Sequence, residues 1–395
     1  MSVEAPDRLG LARAPLERCV GDVERFLLEA WGRTASLHRG ADAAGFADLL
    51  GLEDVDRFVT TTGPRVPYVR MVRADQPIPE AAYTRSGRTG SREVHGMLDP
   101  ARVLRLFDEG ATIVLQGMHR WSEPVTRFCR DLELELGHPC QVNAYVTPPS
   151  AQGLASHADP HDVFVLQAFG SKRWYVDPAP GGGAPIETDL DIGDTLYMPR
   201  GTPHHASAQT EISGHLTVGV HVTSWRDVLR DVVAGLDDDP SLTGDVPAGW
   251  VHDADGFAAE LSARLQLLAV SLRDGIDPIE VADRRAERFL SSRAQLARGA
   301  LLDRAAPLEI DDDTVLRRRP GTVCVLRVRD GVLRVLLGDR RLEMPVWVEP
   351  AMRAVVQAET LRVGDLAPEL ASASSRAVLA RRLVREGLLS ARDAR

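Results

Sequence analysis

Two short segments hold the residue types that could do chemistry at one point. In SHADPHDVF, His157 and Asp159 lie two residues apart. Residues i and i+2 of an extended segment project to the same face, so an imidazole and a carboxylate can reach a common point there. Some 45 residues later, GDTLYMPRGTPHHA sets His204 and His205 behind a Pro-x-Gly turn at the end of a strand. From that place a third ligand could approach across a barrel. Two histidines and one carboxylate make a facial set that leaves positions open on Fe(II) for a cosubstrate and dioxygen. A lone HxD is weak, and any single histidine is as readily a core or surface residue. Six of the eleven histidines nevertheless fall between His157 and His221, which favours a metal site over chance clustering.

Two residue types occur once. Of 47 basic residues only Lys172 is a lysine, and Asn143 is the sole asparagine. In a chain so depleted of both types, each survivor hints at a specific chemical need.

The elements that must position these residues are short and β-rich. From Gln141 to His221 the runs QVNAYV, DVFVLQAF, RWYVDP, TLYMP and HLTVGVHV alternate with Pro and Gly, the texture of a sandwich or barrel. Pro178–Ala184 (PAPGGGA) is a loop within that unit. Ahead of it the chain reads as mixed α and β. Helices are expected over Leu16–Trp31 and Pro100–Phe107, and strands over Val66–Val72 and Ala111–Leu115. Residues 225–305 turn helical, with helices over Phe257–Leu272 and Pro278–Phe289, the pattern of packing or a dimer interface. The last ninety residues start with the hairpin TVCVLRVRDGVLRVLLG, whose Asp330-Gly331 pair suits a type I′ turn. Helices are expected beyond it over Pro350–Ala358 and Ser374–Glu386. That mix is winged-helix-like.

Composition bounds the function classes. With 395 residues and 44% apolar content the chain can fill one or more sizeable cores. A net charge of −10 gives no field for holding nucleic acid through its phosphates, whereas a basic partner suits it. Even residues 306–395 carry sixteen arginines against thirteen acidic residues, too even a balance to favour a transcription factor. No apolar run is long enough to span a membrane, and the first twenty residues lack a hydrophobic core segment, so a cytoplasmic protein is expected. Cys19, Cys129, Cys140 and Cys324 form no CxxC and are expected to be reduced and inert.

NAYVTPPSAQGLASHADPHDVFVLQAFGSKRWYV followed by GDTLYMPRGTPHHA resembles the JmjC/cupin-type 2-oxoglutarate oxygenases, most closely the ribosomal oxygenase subgroup. The shared features are N-x-Y-x-T-P-P, HxD, V-L-Q, a lysine two places before a tryptophan, and Y-x-P-R-G-x-x-H, all within residues 111–222. The resemblance implies an α+β chain with three parts. These are a double-stranded β-helix (jelly-roll) core with an N-terminal α/β extension (1–224), a helical dimerisation region (225–305) and a winged-helix-like C-terminal domain (306–395). It assigns iron to His157, Asp159 and His204, choosing His204 over His205 by counting from Gly201. It gives Lys172 the distal carboxylate of 2-oxoglutarate and puts Asn143 and Tyr145 along the cosubstrate pocket, with His215 close to the iron. Core packing remains an alternative for Tyr145 and His215. His161 reads as a solvent-facing neighbour and Trp174 as barrel core.

The implied reaction hydroxylates a C–H bond while 2-oxoglutarate is decarboxylated to succinate and carbon dioxide. The implied substrate is a side chain of a protein or peptide, such as arginine or histidine in a ribosomal protein. Rival readings are a natural-product peptide or small-molecule substrate, N-demethylation, a cupin without 2-oxoglutarate, and a scaffold. Lys172 tells against the cupin without 2-oxoglutarate, since only a cosubstrate with a distal carboxylate needs such an anchor, and the complete ligand set tells against a scaffold.

Overall fold

The computed structural model describes residues 15–40, 44–73, 76–151, 155–236, 239–293, 298–305 and 309–391. Its first part contains α1 (Pro15–Val20), α2 (Val23–Glu29), β1 (Ser36–His38), α3 (Leu52–Thr61), β2 (Val69–Arg73), β3 (Gln76–Pro77), β4 (Thr84–Thr89) and β5 (Arg92–Leu98). Next come α4 (Pro100–Asp108), β6 (Thr112–Leu115), α5 (Glu123–Leu136), β7 (Cys140–Thr147), β8 (His157–Ala158), β9 (Asp162–Phe169) and β10 (Lys172–Val176). The jelly roll is completed by β11 (Ile186–Leu190), β12 (Thr195–Met198), β13 (Pro203–Ala208) and β14 (Ser213–Val220).

Two sheets face each other. The larger runs β1-β12-β9-β14-β7-β6-β2-β3 and the smaller β11-β10-β13-β8. The sequence of β9, DVFVLQAF, shows why the larger sheet is buried on both sides. Its alternate residues Phe164, Leu166 and Ala168 join the core beneath the helices, with Phe26 and Phe128. Val163 and Val165 point the other way and pack with Trp174, Leu190, Leu196 and Met198 between the sheets. Period-two alternation inside a continuous apolar run therefore serves two cores at once.

The single helix expected over Leu16–Trp31 is two. Gly21 takes φ +71°, and Asp22 caps the second helix by accepting the Arg25 N–H at 3.0 Å. A left-handed glycine followed by an N-cap aspartate ends one helix and starts another, which apolar spacing alone does not reveal. The strand expected at Val66 begins at Val69, after Pro67, a residue with no N–H to donate.

The remaining elements are α6 (Trp225–Ala234), α7 (Ala254–Asp274), α8 (Pro278–Leu290), α9 (Ala300–Arg304), β15 (Val315–Arg318), β16 (Cys324–Arg329), β17 (Val332–Leu337) and β18 (Arg340–Pro345). They end with α10 (Glu349–Gln357), β19 (Thr360–Arg362), α11 (Ala373–Arg385) and β20 (Leu389–Ser390). Asp330 (φ 52°) and Gly331 (φ 73°) both take positive φ, as the expected type I′ turn requires.

By its contacts the chain forms two units. Met1–Val222, Leu296–Thr322 and Pro350–Arg395 make one, and Thr223–Gln295 with Val323–Glu349 make the other. Residues 306–395 are thus shared between the two. The meander β16-β17-β18 goes with the helices because Val323 and Leu336 bury against Leu290. The ion pairs Arg327–Asp283 and Arg334–Glu287 add to that contact. In the first unit β19-β15-β20 form a small sheet beside α10 and α11.

Candidate active site

β13 pairs antiparallel with β8 so that His204 lies opposite His157. That register brings two histidines 47 positions apart to ring centroids separated by 4.5 Å. Asp159 follows β8, and its Oδ2 lies 3.8 Å from His204 Nε2. The Pro-Arg-Gly turn is fixed to the same spot: Gly201, at φ +78°, donates its N–H to the Asp159 carbonyl at 2.8 Å. One ligand atom from each of His157, Asp159 and His204 falls within 4.8 Å of the others.

The hydrogen bonds behind the rings decide which nitrogen faces inward. His157 Nδ1 donates to the Ala155 carbonyl at 2.8 Å, and His204 Nδ1 donates to the Thr202 carbonyl at 2.9 Å. Each ring is thereby left with its Nε2 lone pair free to ligate, the arrangement that orients metal-ligating imidazoles. Burial holds His204 below the usual histidine range, so it is neutral and able to ligate. Two imidazole nitrogens and one carboxylate oxygen at this spacing fit a single divalent ion with open positions. His205 does not join them; its ring stacks on Tyr175 at 4.7 Å and 7°.

The three candidate ligands line a cavity together with Tyr145, Lys172, Trp174, His205, His215, Thr112 and Thr217. Lys172 stands on β10 and is 3% exposed. Its Nζ donates to Thr147 Oγ1 at 3.0 Å, and that hydroxyl lies 3.1 Å from Thr112 Oγ1. Burial pushes the amine down to about 7, and among the described residues no carboxylate pairs with it. A buried amine with hydroxyl neighbours and no anion is a receptor for a carboxylate.

Tyr145 and His215 are opposed on β7 and β14, and their rings stack at 5.2 Å and 7°. Burial, with Lys172 and His204 nearby, keeps His215 uncharged, well below the ordinary histidine range. Asn143 shares the β7 face of Tyr145 and lies opposite Thr217, which lines the cavity. Its Oδ1 accepts the Gly117 N–H at 2.9 Å. His161 stays out of the cavity, with its Nε2 3.2 Å from Gln141 Nε2. Thr112 and Thr147 are site residues that the sequence reading gave no role. Thr147 sits inside the N-x-Y-x-T-P-P run, whereas no local signal marks Thr112.

Comparison with known proteins fits this geometry. A family model described as "JmjC domain" matches residues 118–228. This segment resembles a JmjC domain. It contains the HxD, both β10 residues Lys172 and Trp174, and the distal histidine. Around the domain the chain is 26% identical over 300 residues to Ribosomal oxygenase 1 of Homo sapiens, covering 68% of this chain and 45% of that protein. It is 32% identical over 251 residues to Ribosomal oxygenase 2 of Bos taurus, covering 54% of each. The chain spans about half the length of these curated relatives. Among solved structures, the Escherichia coli ribosomal oxygenase YcfD aligns at TM-score 0.56 and 20% identity, over 93% of this chain and 98% of that one. At that identity the likeness is one of fold. YcfD has also been solved in complex with cobalt and 2-oxoglutarate. Around the JmjC-like segment the chain is thus similar in sequence to ribosomal oxygenases and similar in fold to YcfD.

Proposed function

We propose that this chain is an Fe(II)- and 2-oxoglutarate-dependent oxygenase that hydroxylates a protein or peptide side chain and releases succinate and carbon dioxide. The observation that carries the reading is the union, in one cavity, of the His157–Asp159–His204 ligand set with the unpaired amine of Lys172. Iron held there supplies, with 2-oxoglutarate and dioxygen, the oxidising power to functionalise an unactivated C–H bond. The chain's own residues do the positioning. His157, Asp159 and His204 ligate through atoms pre-oriented by Ala155 and Thr202. Lys172, backed by Thr147 and Thr112, holds the distal carboxylate of the cosubstrate. Tyr145 and His215 wall the pocket and keep water from it. A cupin without 2-oxoglutarate has no use for the buried amine, which disfavours that rival.

For the substrate we infer a basic segment of a ribosomal protein, hydroxylated on arginine or histidine. The net charge of −10 and the names of the relatives support this. A natural-product peptide or small molecule is the second reading. α7 supports a homodimer through residues 225–305, since none of its residues is buried and Leu261, Leu265, Leu267 and Val270 are all exposed. The small sheet β19-β15-β20 with α10 and α11 is our winged-helix-like part, with a protein and not nucleic acid as its partner. Among the described residues no helix is long and apolar enough to cross a membrane, and the four buried free cysteines suit a reducing cytoplasm.

The deciding experiment is anaerobic titration of the protein with Fe(II) and then 2-oxoglutarate, followed by the visible charge-transfer band of the chelate. Its appearance, and its weakening in Lys172→Ala, supports the reading. A folded, iron-loaded protein without the band refutes it. The substrate is then sought by mass spectrometry of basic ribosomal proteins for the gain of one oxygen atom, and a consistent failure there together with turnover of a small molecule would favour the second reading.

A further inference from the structure

Asp162 opens β9, three positions after the candidate ligand Asp159, and the sequence reading gave it no role. It is 1% exposed. Its neighbour Val163 lines the cavity, so by the strand period Asp162 points to the opposite face, the one under the helices. Tyr197 of β12 stands beside it there, since Tyr197 pairs with Phe164 and Met198 with Val163. Tyr197 Oη donates to Asp162 Oδ2 at 2.5 Å, and the Arg200 backbone N–H donates to Oδ1 at 3.1 Å. Each carboxyl oxygen thus has one donor, and neither donor is cationic.

Arg200 belongs to the turn at residues 199–202, between β12 and β13, and two of the candidate ligands are tied to that turn. The Gly201 N–H donates to the Asp159 carbonyl at 2.8 Å, and the Thr202 carbonyl accepts from His204 Nδ1 at 2.9 Å. Thr202 Oγ1 closes the turn onto the Pro199 carbonyl at 2.6 Å. Tyr197 is anchored from the other side by the N-terminal extension. Its Oη accepts the Gly32 N–H at 2.8 Å, and its ring packs edge-on to Phe26 at 4.9 Å and stacks on Trp31 at 5.8 Å. An unbroken series of hydrogen bonds therefore runs from the α2–β1 loop through Tyr197 and Asp162 to the turn.

Burying a carboxyl group among neutral donors is unfavourable for stability. What it supplies here is geometry. A carboxylate only accepts, so it satisfies both donors at once, whereas an asparagine of the same shape turns an N–H towards one of them. We propose that Asp162 is a positioning residue that acts through the Arg200 N–H to hold Asp159 and His204 in ligating geometry, with Tyr197 and the N-terminal extension as its support. The inference rests on the metal-ligand reading of His157, Asp159 and His204 and adds to it a group outside the cavity. Loss of an outer partner of this kind weakens metal binding by about tenfold to a hundredfold.

The test is calorimetric titration of the full chain with Co(II), with the visible Co(II) spectrum and the urea unfolding of the metal-free protein measured alongside. Asp162→Asn should weaken Co(II) binding about tenfold or more in protein that is still folded, and should shift the visible bands, which report ligand geometry. Tyr197→Phe keeps the ring contacts and the Arg200 bond, so its loss should be smaller, about threefold to tenfold. If Asp162→Asn does not fold, Tyr197→Phe decides by the same two readouts. Unchanged Co(II) affinity and spectrum in the folded variants overturn the proposal even where urea stability falls, because Asp162 would then support the fold alone. A larger loss in Tyr197→Phe than in Asp162→Asn overturns it also, since Tyr197 would then reach the turn by another route. Failure of the wild-type protein to bind Co(II) refutes the ligand assignment itself, a result distinct from wild-type binding with unaffected variants.

Discussion

Replacing Lys172 by methionine separates two effects that the structure sets against each other. Methionine keeps the length of the side chain and removes the charge. In the free protein burial lowers the amine from 10.5 to about 7. At about 1.36 kcal/mol per tenfold change in proton affinity, the penalty for charging it has an upper bound of about 5 kcal/mol. The sign follows from linkage. Between about pH 7 and pH 10 the unfolded chain holds a lysine proton that the folded chain has released, so wild-type stability rises with pH across that window. Methionine has no such dependence. The lost bond to Thr147 costs only about 1 kcal/mol, and Thr147 keeps Thr112 as a partner. Lys172→Met should therefore be more stable than wild type in urea at about pH 6.5, and the difference should close towards pH 10.

Cosubstrate binding should move in the opposite direction. An ammonium–carboxylate hydrogen bond contributes about 1.5–3 kcal/mol, so 2-oxoglutarate affinity should fall about tenfold to 150-fold in the variant. Wild-type affinity should also decline above about pH 7, by up to tenfold per pH unit, because the free amine must first bind a proton. The variant should show no decline. Calorimetric titration of the metal-loaded protein under nitrogen measures both quantities. A variant that unfolds more easily at neutral pH and binds 2-oxoglutarate as wild type does would refute the reasoning, since Lys172 would then be a structural residue and no anchor.

His204→Ala should abolish tight Fe(II) or Co(II) binding, while His205→Ala, whose ring stacks on Tyr175, should bind the ion within about threefold of wild type; equal losses in calorimetry would mean that the ligand is misassigned. Asp303→Ala should destabilise the first unit by about 3–5 kcal/mol in urea, because Arg319, 4% exposed, would keep a buried charge without its carboxylate. Burial raises Asp131 from 3.8 to about 6, so its ionisation opposes folding once the pH exceeds the unfolded value. Asp131→Asn should raise the Tm at about pH 8 and leave it unchanged near pH 3.5, and a gain only in acid would contradict the burial argument. Leu265→Glu should convert a dimer to monomers in sedimentation, and an unchanged mass would remove α7 from the interface.

Much of the candidate site was legible because its residue spacing is local in sequence. HxD places two ligands by the two-residue period of a strand, and a Pro-x-Gly turn announces where the next strand brings a third. The runs of β7, β9, β10, β12 and β14 were readable for the same reason, each being short, apolar and bounded by turn residues. Element breaks were less legible. A positive-φ glycine at position 21 divides one apolar helical pattern into two helices, and periodicity is blind to that. The β4–β5 hairpin was not read from the sequence because its residues are mostly polar, whereas α5 was overlooked although Val125, Phe128, Cys129 and Leu132 keep helical spacing.

The sequence by itself determined the ligand types, the singular Lys172 and Asn143, and a β-rich unit able to bring them together, since residue identity and strand period are properties of the chain alone. Counting from Gly201 favoured His204 over His205, and the tertiary structure supplies the physical reason for that choice. His204 lies opposite His157 across an antiparallel pair, and the strand period turns His205 the other way onto Tyr175. Tertiary contact also bonded Asn143 Oδ1 to the Gly117 N–H and joined Thr112 to Thr147 across two strands. Each of these depends on which residues distant in sequence become neighbours in the sheets, and burial then sets the charge of Lys172 and His215 in ways that composition cannot encode.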